Sequence, residues 1–279
     1  MTKGRISQSA LKVAIGFVTL NMKDDWAERL PAGTADLSER LVLASGARGY
    51  GPRTIRLAKQ RWMLRVYALQ DKFVPGQAQF EAFGYRKIFV QEKVDEAIAA
   101  GARQVLVLGA GFDTLCLRLA PLHPDLQFLE VDHPATSEAK ARGVREEGEH
   151  DNLKLVAADL GERPLSDVLA EQESWDPSRL SVIVAEGLFL YLRDEEVHAV
   201  LREAAACAAP GSRLVFSHMI PTERKAIARI MGLVGEPFRS SVASEDLPEY
   251  VAGTGWEVVS GVDTDPAHGM ERFAVAERR

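Results

Sequence analysis

Val105-Leu-Val-Leu-Gly-Ala-Gly-Phe-Asp-Thr114 is the segment that most clearly indicates the fold. Its first four residues form an unbroken apolar run, which is typical of a strand buried on both faces of a parallel sheet. Gly109 and Gly111 then allow the backbone to turn sharply and to approach a ligand that a Cβ would push away. The helix that follows points its first N–H groups at an acceptor or an anion. The stretch therefore predicts a nucleotide-type ligand at the carboxyl end of a central strand.

Downstream of this stretch the sequence alternates between strand-like and helix-like patterns. The predicted strands lie at 104–109, 127–132, 153–157, 180–186 and 213–218, and the helices between them at 114–120, 135–147, 165–173 and 194–208. Such alternation predicts a parallel sheet with right-handed crossovers and helices on both faces. Segments 256–260 and 271–277 are also strand-like, and the loop between them is too short for a helix. They predict an antiparallel hairpin that closes the sheet.

The first hundred residues show a different pattern. Apolar residues recur at helical spacing in 9–20, 36–47, 54–73 and 85–100, and no strand alternation is visible. No linker rich in Pro, Gly or Ser separates this part from the rest. We therefore expect a helical cap of residues 1–100, docked on an α/β domain of residues 101–279.

Composition and charge exclude several classes of function. The net charge of −6 gives no general basic surface for nucleic acid or anionic lipid, and the small basic cluster of 53–65 indicates a solvated helix face. Two cysteines in apolar helical patterns and six histidines without metal-ligand spacing predict no metal site. Lys12 adjoins the apolar run of 13–20, no cleavage motif follows it, and no run is long enough to span a bilayer. The sequence thus predicts a cytoplasmic protein without a membrane or nucleic-acid partner, and leaves open whether it forms a homo-oligomer.

Polar residues follow the predicted strands where each strand ends. They are Asp113, Asp132, Asp159, Glu186 and His218. Ligands of open α/β sheets bind at this edge, and buried carboxylates are costly unless a partner compensates them. Ribose hydroxyls, an adenine amino group or a cationic centre would each supply such a partner.

Simpler structural roles compete for some of these positions. Asp132 precedes His133-Pro134 and is suited to cap the next helix, and Asp159 is suited to an Asx turn before Gly161. His218 fits a hydrogen-bonded core histidine. Glu186 is an isolated charge among apolar residues. Because no structural role for it is evident, a role in ligand binding or catalysis is favoured.

Five segments together resemble the leucine carboxyl methyltransferase family of S-adenosylmethionine-dependent methyltransferases, including its bacterial small-molecule members. The segments are 107–114, 130–134, 158–160, 185–192 and 271–277, and with their spacing the resemblance covers roughly residues 80–279. It implies a Rossmann-like class I methyltransferase fold, with the N-terminal cap shaping the substrate pocket. The first hundred residues match the family poorly, so the resemblance does not name the acceptor.

The resemblance also implies a set of cofactor-binding residues. Arg86 would pair with the methionine carboxylate through its bidentate guanidinium. Asp132 would accept from the ribose hydroxyls, Asp159 and Leu160 would flank the adenine, and Glu186 would lie near the amino end of the cofactor. The remaining positions assigned to the S-adenosylmethionine site are Gly109, Ala110, Gly111, Asp113 and His133.

We expect methyl transfer to an oxygen atom of a small molecule, a carboxylate or a hydroxyl. A carboxylate acceptor needs no strong base, whereas a phenol or enol would benefit from His218 as a general base. Tyr191 is the second candidate catalytic residue, and Tyr50, Arg53 and Tyr85 are further candidates for orienting the acceptor.

Two other functions compete with this expectation. An NAD(P)-dependent oxidoreductase would use the same glycine turn, but its third glycine is Thr114 here and the predicted antiparallel ending is atypical. A catalytically silent methyltransferase-like module would bind a partner or the cofactor without turnover. The retained strand-end acids count against that second alternative.

Overall fold

The computed structural model describes residues 4–73, 79–221, 238–260 and 270–279. Up to residue 99 the described residues form helices and no strand. The helices are α1 (Gln8–Leu20), α2 (Asp24–Arg29), α3 (Thr34–Ala44), α4 (Pro52–Ala58), α5 (Arg61–Phe73) and α6 (Gln79–Ala99). Helix α1 packs on α3 and α6, and α6 packs directly on the sheet. None of the described helices combines the length and apolar character needed to cross a bilayer.

The second part of the chain forms one seven-stranded sheet. Its strands are β1 (Gln104–Leu108), β2 (Gln127–Asp132), β3 (Leu153–Ala157), β4 (Ser181–Ala185), β5 (Arg213–Met219), β6 (Trp256–Ser260) and β7 (Glu271–Arg278), in the order β3-β2-β1-β4-β5-β7-β6. β1 to β5 pair in parallel, while β7 runs antiparallel to both β5 and β6. The predicted parallel sheet with a C-terminal antiparallel hairpin is confirmed. The hairpin is inserted so that β7, the later strand, adjoins β5.

Helices connect the parallel strands. They are α7 (Leu115–Leu119), α8 (Pro134–Glu147), α9 (Leu165–Ala170), α10 (Asp194–Ala206) and, before β6, α11 (Leu247–Val251). Short 3-10 turns occupy Ala120–Leu122, Phe189–Tyr191 and Ser244–Asp246. The carboxyl ends of β1 to β5 therefore share one edge of the sheet, as a parallel arrangement requires.

The apolar run of β1 is explained by burial on both faces. Val105 and Val107 pack with residues of α1 and α6, whereas Leu106 and Leu108 pack with residues of α9 and α10. All four side chains are buried. Complete burial of side chains of this size contributes about 1.5–3 kcal/mol each, so this strand anchors both layers.

Helices α3 and α8 approach one another closely at a glycine. A Cβ on Gly143 of α8 would lie 2.7 Å from Leu41 Cδ2 and 3.0 Å from Leu41 Cα. The absence of a side chain at Gly143 thus allows the N-terminal helices to rest against the α/β layer.

Candidate functional site

The turn after β1 adopts a conformation that requires glycine. Gly109 has a φ of +64° and Gly111 a φ of +50°, both in the left-handed region. A Cβ on Gly109 would lie 2.9 Å from Leu188 Cδ1, and one on Gly111 would lie 2.9 Å from Ala10 Cβ. The turn is therefore bounded by the loop after β4 on one side and by α1 on the other.

The acid that ends β2 contacts this turn. Asp132 Oδ2 accepts a hydrogen bond from the backbone N–H of Gly111 at 2.5 Å. Burial raises the pKa of Asp132, although backbone hydrogen bonds from Gly111 and His133 oppose the shift. The structure thus places the first two predicted elements of the site, the glycine turn and Asp132, in direct contact.

Asp159, which follows β3, lies near His133, which follows β2. His133 Nε2 lies 3.7 Å from Asp159 Oδ2. The other carboxylate oxygen of Asp159 accepts from the backbone N–H of Gly161 at 2.9 Å, so Asp159 also forms the Asx turn. Leu160 is half-buried and packs against the core on the α9 and α10 side. The predicted ribose and adenine residues therefore lie near one another.

Glu186 at the end of β4 receives two cations from adjacent positions of α6. Arg86 Nε donates to Glu186 Oε1 at 2.9 Å, and Lys87 Nζ donates to Glu186 Oε2 at 2.7 Å. Lys87 also donates to Asp113 Oδ1 at 2.8 Å. Arg86 Nη1 donates to Glu271 Oε2, a residue of β7. We call these five side chains the charge network.

The charge network is buried, and its members stabilise one another's charged forms. Burial opposes the charge of Lys87, but Asp113 and Glu186 outweigh it and raise the Lys87 pKa. Burial likewise opposes the charge of Arg86, and Glu271 and Glu186 raise the Arg86 pKa. Against the same burial effect, Lys87 holds the pKa of Asp113 well below its usual range. Two cations and three carboxylates leave the network with a formal charge of −1.

Hydrogen bonds extend the network to the next strand. Ser217 Oγ donates to Glu271 Oε1 at 2.5 Å and accepts from the backbone N–H of Gly187 at 2.8 Å. Gly187 has a φ of +65°, and a Cβ there would lie 3.2 Å from Arg86 Nη1. The loop after β4 is thus fixed between Ser217 and Arg86.

Sequence reasoning gave no site role to Lys87, Glu271 or Ser217. Lys87 directly follows Arg86 in a helical pattern, where two successive cations point in different directions and only one is expected inside. Glu271 begins the last strand and was recognised only as part of that strand. The one sequence feature that pointed to Glu271 is its position at the start of segment 271–277, which resembles the methyltransferase family.

His218 is buried on the opposite face of the sheet from the charge network. Ser217 and Glu271 face the network, and His218 alternates to the other face, where its Nδ1 lies 3.1 Å from the carbonyl oxygen of Val242. His218 therefore does not lie beside the charge network. Its role as a base stays a prediction.

The candidate acceptor-orienting residues have different surroundings. Tyr191 is half-buried in the 3-10 turn after β4, and its ring centre lies 6.0 Å from that of Phe238. Tyr85 packs edge-on against Trp26 with 4.8 Å between ring centres. Tyr50 is half-buried and Arg53 is exposed. Their predicted roles in orienting an acceptor therefore stay predictions.

Within the ranges that the structure describes, no cluster of three or more His, Cys, Asp or Glu side chains is arranged to hold a metal ion. The site is instead built from carboxylates, two cations and a glycine turn.

Comparison with known proteins identifies the family to which the chain belongs. Residues 34–205, more than half of the chain, match the family model described as leucine carboxyl methyltransferase. The chain belongs to the leucine carboxyl methyltransferase family. This confirms the resemblance carried by the five sequence segments.

Two bacterial relatives of the chain are provisionally named as methyltransferases. A Streptomyces coelicolor protein, provisionally named an S-adenosyl-L-methionine-dependent methyltransferase, is 33% identical over 199 residues, covering 70% of this chain and 66% of the relative. A Mycobacterium tuberculosis protein with the same provisional name is 28% identical over 228 residues, which is 76% of this chain. The chain spans 65% of the length of that mycobacterial relative.

A Thermobifida fusca crystal structure, provisionally described as a methyltransferase, shares the fold. Its TM-score is 0.60 at 20% identity, and the superposition covers 86% of this chain and 94% of that one. The Rossmann-like methyltransferase fold expected for the leucine carboxyl methyltransferase family is confirmed. Neither the matched family nor the relatives named above is an oxidoreductase.

Proposed function

We propose that this protein is an S-adenosylmethionine-dependent methyltransferase that modifies an oxygen atom, a carboxylate or a hydroxyl, of a small-molecule acceptor. One observation carries the proposal: the charge network joins two of the strand-end acids, Asp113 of the turn after β1 and Glu186 after β4, through the buried cations of α6. A dinucleotide site would need an acid for ribose and N–H groups for pyrophosphate. It would not need two cations and three carboxylates beside that turn.

The residues present fit the chemistry of S-adenosylmethionine. The second carboxylate oxygen of Asp113 is buried and accepts no hydrogen bond from the residues that the structure describes. It is therefore an acceptor available to an ammonium group, and Arg86 is the matching donor for a carboxylate. The formal charge of −1 on the network complements the additional positive charge of a sulfonium.

The other predicted residues would hold the nucleoside part of the cofactor. Asp132 would accept from ribose hydroxyls and Asp159 from the adenine amino group. Gly109, Ala110 and Gly111 would line the path between them, with His133 and Leu160 bordering the nucleoside. The cofactor, when bound, supplies a methyl group already activated by the sulfonium.

The protein's own contribution would be positioning and exclusion of water. Glu186 and Glu271 fix Arg86 from two sides, so its remaining donors are presented in a set direction. A carboxylate acceptor is ionised near neutral pH and would need no base, which agrees with the location of His218 on the other face. Tyr191 would orient the acceptor.

Calorimetric and thermal binding measurements test the cofactor. We expect S-adenosylhomocysteine at 100 times its Kd to raise the Tm by about 5 °C, with no effect of NADH. Asp132→Asn should bind S-adenosylhomocysteine at least about tenfold more weakly, because it replaces a charged acceptor by a neutral one.

The Asp132→Asn variant should be no less stable than the wild type. Because the folded-state pKa of Asp132 is raised, its carboxylate costs folding free energy as the pH rises through that pKa, and asparagine removes this cost. Asp125→Asn, at an exposed position, is the matched control and should leave binding unchanged. Stabilisation by NADH alone, or equal affinity in both variants, would overturn the cofactor assignment.

Turnover separates the enzyme from a silent binding module. Incubation with S-adenosylmethionine and a panel of carboxylates and phenols should release S-adenosylhomocysteine with at least one acceptor class. Tight cofactor binding with no transfer to any acceptor would instead favour the silent module.

A further inference from the structure

One part of the surface differs in charge from the rest of the molecule. Residues 40–70 contain seven lysine and arginine residues and no acidic residue, in a chain with a net charge of −6. This stretch includes all of α4 and the first ten residues of α5. Four of the seven cations, Arg53, Arg56, Arg61 and Arg65, lie on these two consecutive helices.

Some of these cations form ion pairs with acidic residues, and others are exposed and form no ion pair with a described residue. Lys59 pairs with Glu39 at 2.5 Å, and Arg61 approaches Asp24 at 3.4 Å. Arg53, Arg56 and Arg65 are exposed, and none of them forms an ion pair with a residue in the described ranges. These three arginines are available to an anionic partner.

Apolar side chains are exposed on the same two helices. Leu57, Trp62, Val66 and Leu69 expose between 42% (Val66) and 55% (Leu69) of their surface. Trp62, Val66 and Leu69 stand at i, i+4 and i+7 of α5, so they share one face of the helix. Arg53, Arg56 and Leu57 likewise stand at i, i+3 and i+4 of α4 and are exposed. We use the name basic apolar face for the exposed sides of these two consecutive helices, which carry Arg53, Arg56, Leu57, Trp62, Arg65, Val66 and Leu69.

The basic apolar face is not the inner face of α5. Leu64 and Tyr67 of α5 already pack into the cluster formed by Phe17, Leu20 and Trp26. Helix α5 therefore has one apolar side against the protein and a second against solvent. Large exposed side chains in the other described parts of the chain, such as Leu122 and Leu180, lie on separate elements.

We propose that the basic apolar face docks peripherally on a bilayer that contains anionic lipids. Such a surface supplies an apolar layer for Trp62, Val66 and Leu69 together with negative headgroups for the arginines. A nucleic acid supplies the charge but no apolar layer. A symmetric contact with a second copy would bring two positively charged surfaces together, which is repulsive.

This proposal replaces the expectation that the basic cluster is a solvated helix face and that the protein has no membrane partner. It stands independently of the proposed methyl transfer. Sedimentation with vesicles of phosphatidylcholine alone, and with about 30% phosphatidylglycerol, tests it. We expect at least about tenfold stronger binding to the anionic vesicles, lost in 0.5 M NaCl through screening.

Trp62 provides an internal reporter. The other three tryptophans, Trp26, Trp175 and Trp256, are buried. Anionic vesicles should therefore shift the tryptophan emission to shorter wavelength, and Trp62→Phe should abolish the shift. An emission unchanged by vesicles would show that Trp62 does not enter the bilayer, and would overturn the proposal.

Two sets of variants separate charge from apolar contact. Arg53→Gln/Arg56→Gln/Arg65→Gln and Trp62→Ser/Leu69→Ser should each weaken vesicle binding at least about tenfold. The controls are Leu122→Ser, at a position 70% exposed, and Arg202→Gln, exposed on α10, which should bind as the wild type does.

Three results would refute docking on lipid. They are equal binding to neutral and anionic vesicles, undiminished binding of both multiple variants, and a dimer that Trp62→Ser dissociates without any vesicle binding. The last result, measured by light scattering, would assign the face to a second copy of the chain.

Discussion

At the scale of single residues, Lys87 has a central part in the site that the sequence did not indicate. Its side chain is 1% exposed, and it holds the carboxylates of Asp113 and Glu186, which come from the turn after β1 and the end of β4. Without its ammonium group, the two buried carboxylates would have one cation fewer between them.

We expect Lys87→Met to lower the free energy of unfolding by about 3–5 kcal/mol, the cost of removing one partner of a buried ion pair. The control Lys93→Met lies on the same helix and removes a surface pair with Glu96. It should cost less than about 1 kcal/mol. Urea unfolding measures both variants, and equal stability of the two would show that the buried network is dispensable for folding.

The pKa of Asp113 predicts how stability depends on pH. Because this pKa is lowered in the folded protein, Asp113 adds stability above the ordinary aspartate value near 4, and loses it as the pH falls through the folded-state pKa. Asp113→Asn should therefore have a lower Tm at pH 7, and its difference from the wild type should begin to narrow only as the pH falls below about 4. Asp167→Asn, exposed on α9, should follow the wild type throughout. A gap that stays constant with pH would contradict this account.

At the scale of elements, burial explains what the sequence predicted and topology explains what it did not. β1, β4 and β5 are covered on both faces, so their apolar runs predicted strands directly. The position of β7 between β5 and β6 depends on pairing, which period-two patterns do not encode.

The same limit applies to the site. Asp132 and Glu186 were predictable because strand ends meet at one edge of a parallel sheet. Lys87 and Glu271 were not, because their partners lie 99 and 185 residues away in sequence. Which side of α6 faces the sheet is decided by tertiary packing, so two adjacent cations on that helix could not be assigned from periodicity.

The contact between α3 and α8 gives a prediction at this scale. Alanine in place of a helical glycine usually stabilises a helix by up to about 1 kcal/mol. At Gly143 the added Cβ would meet Leu41 Cδ2 and the Leu41 backbone, so we expect Gly143→Ala to destabilise the protein by about 1–3 kcal/mol. The Tm of the variant measures this cost.

Combination with Leu41→Ala is the control for that contact. The double variant removes the Cδ2 collision, so its loss should be smaller than the sum of the two single losses. Strict additivity would indicate that α3 moves away from α8 without strain.

At the scale of the whole molecule, net charge concealed an uneven distribution. The value of −6 excluded a basic protein, yet residues 40–70 form a basic band within it. A sum over the chain cannot report such a band, and only the exposed side chains of α4 and α5 show that apolar groups accompany it.

The position of β7 affects how the protein folds during its synthesis on the ribosome. Ribosomes release a chain from its N-terminus at about 5–20 residues per second, so β7 emerges after every other strand of the sheet. Until then β5 has an open edge, β6 lacks the strand it pairs with, and Arg86 lacks Glu271. From the emergence of β5 until that of β7, the nascent chain therefore carries an unsealed sheet edge. Over the longer interval from Arg86 to Glu271, the guanidinium lacks one of its two carboxylate partners. The nascent chain's need for chaperones should end when β7 arrives.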